Sequence, residues 1–209
     1  MSAMRSETTI AQRYEMACER LGLSLPSDAS PQEALESVLD SLAPIFERLP
    51  AVGGERTGAL LVVSDDAGSA TAEQFWRDAL DVGIAFASPG AFPWCLANAP
   101  CATIARRFGV TGPNVTWLSP LSDARAAFDA PAAWLADYLS GAADDSRPEA
   151  WLVAVHFGAP HGRLMVWHWT GADAIDASCC PLAIAASLRD VVSADWQNPR
   201  PLDAPRLVR

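Results

Sequence analysis

Few residues of this chain have types that do covalent or acid–base chemistry, and their spacing limits what each can do. Cys95 and Cys101 flank Asn98-Ala99-Pro100. A cysteine attacks as its thiolate, which needs an electropositive setting or a neighbouring base. These two fall inside or beside a predicted helix with no histidine near in sequence, so both read as small buried hydrophobes. Ser119 and Ser122 stand nearer a predicted strand-to-helix turn, where a helix N-terminus favours a developing oxyanion. Serine also needs a base, and none is visible close by; Ser122 reads better as a helix cap. Asp65-Asp66 invites a metal or phosphate role, against the plainer reading of a solvated loop at a strand end. His156, His161 and His168 could join Cys179 and Cys180 as zinc ligands, but the spacings fit no structural zinc pattern. His156 and His168 fall on predicted strands and read as packed or hydrogen-bonded. No metal and no cofactor is expected.

Elements that must position these residues follow from hydrophobic period and punctuation. Residues 8–22 show helical spacing, with Ile10, Tyr14, Ala17, Cys18 and Leu21 on one face and Gly22 at the end. Residues 24–30 read as a linker. Ser30-Pro31-Gln32-Glu33 is a capping box with proline at the first helical position. The helix after it carries Leu35, Val38, Leu39, Leu42, Ile45, Phe46 and Leu49, and Pro44 should kink or split it. Gly58–Ser64 is a continuous apolar run, the mark of a strand covered on both faces. Thr71-Ala72-Glu73-Gln74 opens another helix, predicted to bury Phe75, Trp76, Ala79 and Leu80 and to end at Gly83.

Further along, Thr111-Gly112-Pro113-Asn114 is a turn. Val115-Thr116-Trp117-Leu118 is β-branched and aromatic and reads as a buried strand. A helix is expected from about Ser122 to Leu139, with a kink at Pro131. Trp151–Phe157 and Leu164–Trp169 read as two strands joined by a short turn, so an antiparallel hairpin is expected. Pro181–Val192 reads as a helix with Ile184, Leu188, Val191 and Val192 on one face. Pro199, Pro201 and Pro205 mark an extended end.

Composition narrows the classes. The chain has 209 residues, is 50% hydrophobic and carries a formal charge of -10; every one of its 15 cations is arginine. Half apolar content supports a substantial core. The acidic balance excludes a sequence-independent nucleic-acid footprint. Five scattered cysteines, with no closely spaced pair of the CxxC kind, fit a reducing cytoplasm better than a disulfide scaffold. The start MSAMRSETTI lacks the apolar stretch of a signal peptide, and no run reaches the roughly 20 apolar residues of a membrane span.

The stretch Ala87–Asp123 resembles the thiolase-fold β-ketoacyl synthases of fatty-acid and polyketide synthesis. The resemblance rests on Ser88-Pro89, Phe92-Pro93, Asn98-Ala99-Pro100, Ile104-Ala105, Arg107-Phe108-Gly109 and Gly112-Pro113-Asn114-Val115-Thr116, in order and spacing. It covers roughly residues 30–170 and is specific in 85–118. In that family the strand after Gly-Pro-Asn leads to the cysteine that attacks the acyl thioester. Counted forward from Gly112 without gaps, that position here is Leu121, which cannot be a nucleophile. The family's two catalytic histidines belong to a C-terminal half for which this sequence has no room. The family also opens on a glycine-containing strand, and none is read here.

The resemblance therefore implies an α/β fold, half of a thiolase-like fold, with a mostly parallel sheet and helices on both faces. Its expected parts are an N-terminal helix and linker (1–29), a ketosynthase-like domain (30–170), and a C-terminal helix and tail (171–209). It implies a chain-length-factor-type subunit without catalytic residues, pairing with a full-length ketosynthase in polyketide, aryl polyene or fatty-acid synthesis. The family's dimer strand maps to Val115, Thr116, Trp117 and Leu118. The segment that gates its acyl tunnel maps to Phe92, Trp94 and Leu96. An acidic acyl carrier protein would be met indirectly, through the partner, because this chain is itself acidic. Two other readings stand beside this one: a shortened acyltransferase using Cys101, Cys95 or Ser119, and a homodimeric scaffold that kept the fold.

Overall fold

The computed structural model describes residues 14–24, 31–49, 53–87, 89–141, 149–157, 161–171 and 181–198. Five strands form one sheet in the order β1-β5-β4-β2-β3: β1 (Tyr14–Ser24), β2 (Gly58–Ser64), β3 (Asn114–Leu118), β4 (Glu149–His156) and β5 (His161–Gly171). β2 pairs in parallel with both β3 and β4, and β5 pairs antiparallel with both β4 and β1. Four strands thus run one way and β5 runs against them. Helices cover both faces, which makes the chain an α/β domain consistent with half of a thiolase-like fold.

The two faces follow from strand period. Odd-numbered β2 residues Ala59, Leu61 and Val63 join Leu152, Ala154, Met165 and Trp167 against α4 (Ala124–Gly141) and α5 (Pro181–Gln197). Even-numbered Leu60 and Val62 join Val153, Val155, Leu164 and Val166 against α1 (Pro31–Arg48) and α3 (Ala99–Phe108). All seven residues of β2 are buried, as a central strand covered on both sides requires. Trp151, Trp167 and Trp169 are among the largest fully buried side chains. Arg56 ties the second layer together: its guanidinium donates to the carbonyls of Phe108 at 2.6 Å and Phe46 at 2.5 Å and lies 5.7 Å over the Phe46 ring. The carbonyls at two helix ends thereby gain a charged donor.

The hairpin of β4 and β5 is as expected, and β2 occupies the predicted residues. The predicted N-terminal helix is not formed within the described residues; residues 14–24 are β1, a strand that contains Gly22. Its backbone pairs with β5 from Tyr14↔Gly171 to Ser24↔His161. A partner so distant in sequence overrides local helical spacing, because strand preference is set by what lies alongside. Residues 8–13 and Ser30 lie outside the described set. Of the elements read from sequence as flanks of a 30–170 domain, β1 joins its sheet and α5 joins its core.

α1 is one helix through Pro44, and α4 is one helix through Pro131; the expected split at Pro44 does not occur. α2 (Ser69–Val82) begins before Thr71. Asp66 Oδ1 accepts from the Ala70 amide at 2.8 Å and satisfies one of its free donors. The helix was expected to bury four apolar residues, but only Ala79 of them is buried. Phe75 is half-buried, while Trp76 is 58% and Leu80 82% exposed. Local amphipathicity identified the helix but not whether a neighbour covers it. A 3₁₀ turn, Ile84–Phe86, continues that exposed flank, and a second, Phe92–Cys95, leads to α3. Gly109 ends α3 at φ 68°, a left-handed conformation suited to glycine.

Candidate functional site

The C-terminal ends of the parallel strands β2, β3 and β4 meet at one edge of the sheet, where open α/β sheets place their ligand crevices. A cleft of about 560 Å³ opens there, lined by Asp65, Leu118–Ser122, His156, Arg163 and Trp196. Its floor follows from register. Leu118, Ser64 and Val155 are aligned across β3, β2 and β4, and His156 is aligned with Arg163 of β5. One residue further along each strand brings Ser119, Asp65, His156 and Arg163 to the same level. Their parity puts them on the face that carries α4 and α5.

Asp65 is held by the turn around Ser64. The buried Ser64 hydroxyl accepts from the amides of Asp66 at 3.2 Å and Ala67 at 3.1 Å, a serine turn that fixes the loop. From this position the Asp65 carboxylate Oδ2 meets His156 Nδ1 in a hydrogen bond. The carboxylate therefore sets the imidazole's orientation and tautomer, placing the proton on Nδ1 and leaving Nε2 as the lone-pair nitrogen. Arg163 Nη1 donates to the Trp196 carbonyl at 2.9 Å, and its guanidinium stacks 4.9 Å from the Trp196 ring. Trp196 Nε1 donates to the Leu121 carbonyl at 3.1 Å, which pins the elbow between β3 and α4.

That elbow is where the resemblance to ketosynthases would put their nucleophile. Leu121 sits there 4% exposed, packed in the core beside α4. Ser119 is tied by its amide to the Ser64 carbonyl at 2.9 Å. Ser122 is exposed and is not the cap: Asp123 Oδ1 accepts from the Ala126 amide at 3.2 Å and fills that role.

The remaining candidates lie elsewhere. Cys101 is fully buried in α3, its Sγ 3.6 Å from the Leu60 carbonyl. Burial pushes its thiol up to about 11, against the opposing hydrogen bond from the Thr116 side chain. Cys95 is half-buried, and burial raises it too. Neither reaches the cleft. Phe92 and Leu96 are exposed, and Trp94 packs against the α1/α3 layer. These three are likewise absent from the cleft wall. His168 is buried on β5, stacked at 5.2 Å on Trp151. Among the described residues no group of three metal-ligating side chains forms. The side chain of His161 and both Cys179 and Cys180 lie outside the described residues.

Among the described residues β3 is an edge strand, paired on one side only, with β2. Val115, Thr116 and Trp117 are half-buried and Leu118 is exposed, so the strand is less covered than its composition suggested. Sequence reasoning treated Asp65 as loop and His156 as packed or hydrogen-bonded; the hydrogen bond is present, but its partner, Asp65, was not identified. The signal was present: each stands at the C-terminal end of a buried apolar run, and parallel neighbours bring such ends together.

Compared with known protein families and with curated proteins, the chain matches none.

Proposed function

We propose that this protein is a ketosynthase-like subunit that does not itself catalyse the condensation. It pairs in the cytoplasm with a full-length β-ketoacyl synthase of polyketide, polyene or fatty-acid synthesis and helps shape that enzyme's acyl tunnel. The observation that carries the reading is the occupant of the elbow: a buried leucine, Leu121, fills the turn from β3 to α4. The two cysteines offered as substitutes, Cys95 and Cys101, are held away from the cleft, and burial raises both thiols.

Two surfaces support a partner. The open edge of β3 offers unpaired backbone groups, a feature proteins cover or blunt. The flank of α2 and the turn after it expose Trp76, Leu80, Val82, Ile84 and Phe86, and contiguous exposed apolar side chains mark interaction surfaces. Phe92 and Leu96, also exposed, are the residues through which the subunit sets product length. No described helix is long and apolar enough to cross a membrane.

Co-expression with a ketosynthase encoded beside it, followed by size-exclusion chromatography with mass determination, tests the reading. A one-to-one complex is expected, weakened by Leu80→Asp or Leu118→Asp; both side chains are exposed, so the fold tolerates the change. Leu96→Trp in the complex is expected to shift the product-length distribution. A homodimer indifferent to every ketosynthase offered overturns the proposal in favour of a self-sufficient scaffold.

A further inference from the structure

The Asp65–His156 pair is unused by a subunit that only docks, yet it has the parts of a general base. The imidazole is half-exposed at the cleft, its Nδ1 is occupied by a carboxylate, and the carboxylate is fixed by the Ser64 turn. Beside it, on the side away from Asp65, the antiparallel partner of His156 is Arg163. The remaining wall is largely apolar, with Leu118, Pro120, Leu121 and Trp196 beside the two serines Ser119 and Ser122. A base, a cation and an apolar wall around one cleft suit a carboxylic ester with a short hydrocarbon acyl group.

We propose that this cleft hydrolyses such acyl esters, with His156 as general base toward water and Asp65 as its positioning residue. The strand order decides between water and serine as nucleophile. Ser119 follows β3, Asp65 follows β2 and His156 ends β4, so Asp65 stands between the serine and the histidine. With Nδ1 turned to Asp65, Nε2 lies across the ring from it, on the side away from Ser119. Water there loses a proton to Nε2 while its oxygen bonds to the ester carbonyl carbon. The carbonyl π electrons move to oxygen, and the Arg163 guanidinium stabilises that charge. Collapse restores the carbonyl and breaks the carbon–oxygen bond to the alcohol, which leaves with the proton from the imidazolium. Ester and water become acid and alcohol, with no change of oxidation state.

The site rests on the cleft alone and does not depend on pairing with a ketosynthase, so the purified full chain suffices for the test. Hydrolysis of p-nitrophenyl butyrate is followed for the wild type, His156→Ala, His156→Gln and Asp65→Asn, with urea midpoints recorded to verify folding. Loss of the base is expected to lower kcat about 100-fold. Asp65→Asn is expected to lower kcat about 10-fold or more with KM unchanged and its midpoint retained, a split that a purely structural role would not produce. Wild-type turnover no faster than that of a folded His156 variant overturns the proposal. So does a nitrophenolate burst stoichiometric with protein, which would mean a covalent serine intermediate in place of direct attack by water.

Discussion

Burial of His168 makes a quantitative prediction about acid sensitivity. Burial holds this imidazole down at about 4, against the usual 6.5, because charging it would strip hydration that the Trp151 stack and surrounding β5 core do not replace. Among the described side chains, the carboxylate that approaches is that of Glu149, whose Oε2 is 4.0 Å from His168 Nε2. That is too long for a hydrogen bond, and burial raises Glu149 itself despite the opposing charge of Arg56. Burial therefore outweighs the carboxylate. The unfolded chain takes up a proton at His168 near pH 6.5 and the native state does not until about pH 4. The stabilisation is thus fully present above pH 6.5 and falls as the pH drops toward 4, by about 1.4 kcal/mol per pH unit and about 3 kcal/mol in all. Urea unfolding at half-unit steps from pH 7 to 4, for wild type and His168→Phe, isolates this contribution. Phenylalanine keeps the stack and cannot titrate, so the stability difference between the two proteins should shift by about 3 kcal/mol across the window. Parallel curves would refute the reasoning and show His168 protonated in the native state.

Other consequences follow from the same packing. Arg56→Met should cost about 3 kcal/mol in chemical denaturation, since two carbonyls at helix ends lose charge-assisted donors. Gly112→Ala should destabilise by about 1–3 kcal/mol, because its Cβ would overlap the Gly58 backbone carbonyl and force β2 and β3 apart; a thermal melt reads this directly. Iodoacetamide at pH 8 should leave Cys101 unmodified in the native protein and label it on unfolding, as burial and a thiol held up to about 11 require; peptide mass mapping decides it.

The sequence revealed those parts of the fold whose signals are local. β2 is seven consecutive buried residues and reads as such, and the close spacing of β4 and β5 leaves little choice but a hairpin. Helices α1, α4 and α5 show their apolar stripes. What failed was what depends on distant neighbours. Tyr14–Ser24 has a helical spacing that only β5 overrules. Trp76 and Leu80 have the types of core residues, but among the described residues no layer lies over that flank of α2. The site was half legible: Leu121 and Ser119 could be located by counting, whereas Asp65 and His156 are 91 positions apart, and only the parallel register of β2 with β4 makes them neighbours.

The pairing of β1 with β5 also governs how the protein is made. β1 leaves the ribosome well before its hydrogen-bonding partner β5, with α1, α2, α3 and α4 synthesised between them. At ribosomal rates the wait is on the order of ten seconds. Throughout that interval only local preference acts on residues 14–24, and their own spacing favours a helical turn. Sheet completion must then undo whatever that preference has formed and close a long loop that contains α1 to α4, the kind of non-local step that slows folding. Deleting β1 should accordingly leave a chain that collapses quickly around β2 and β4, with β5 bare along one side and prone to recruit a strand from another molecule.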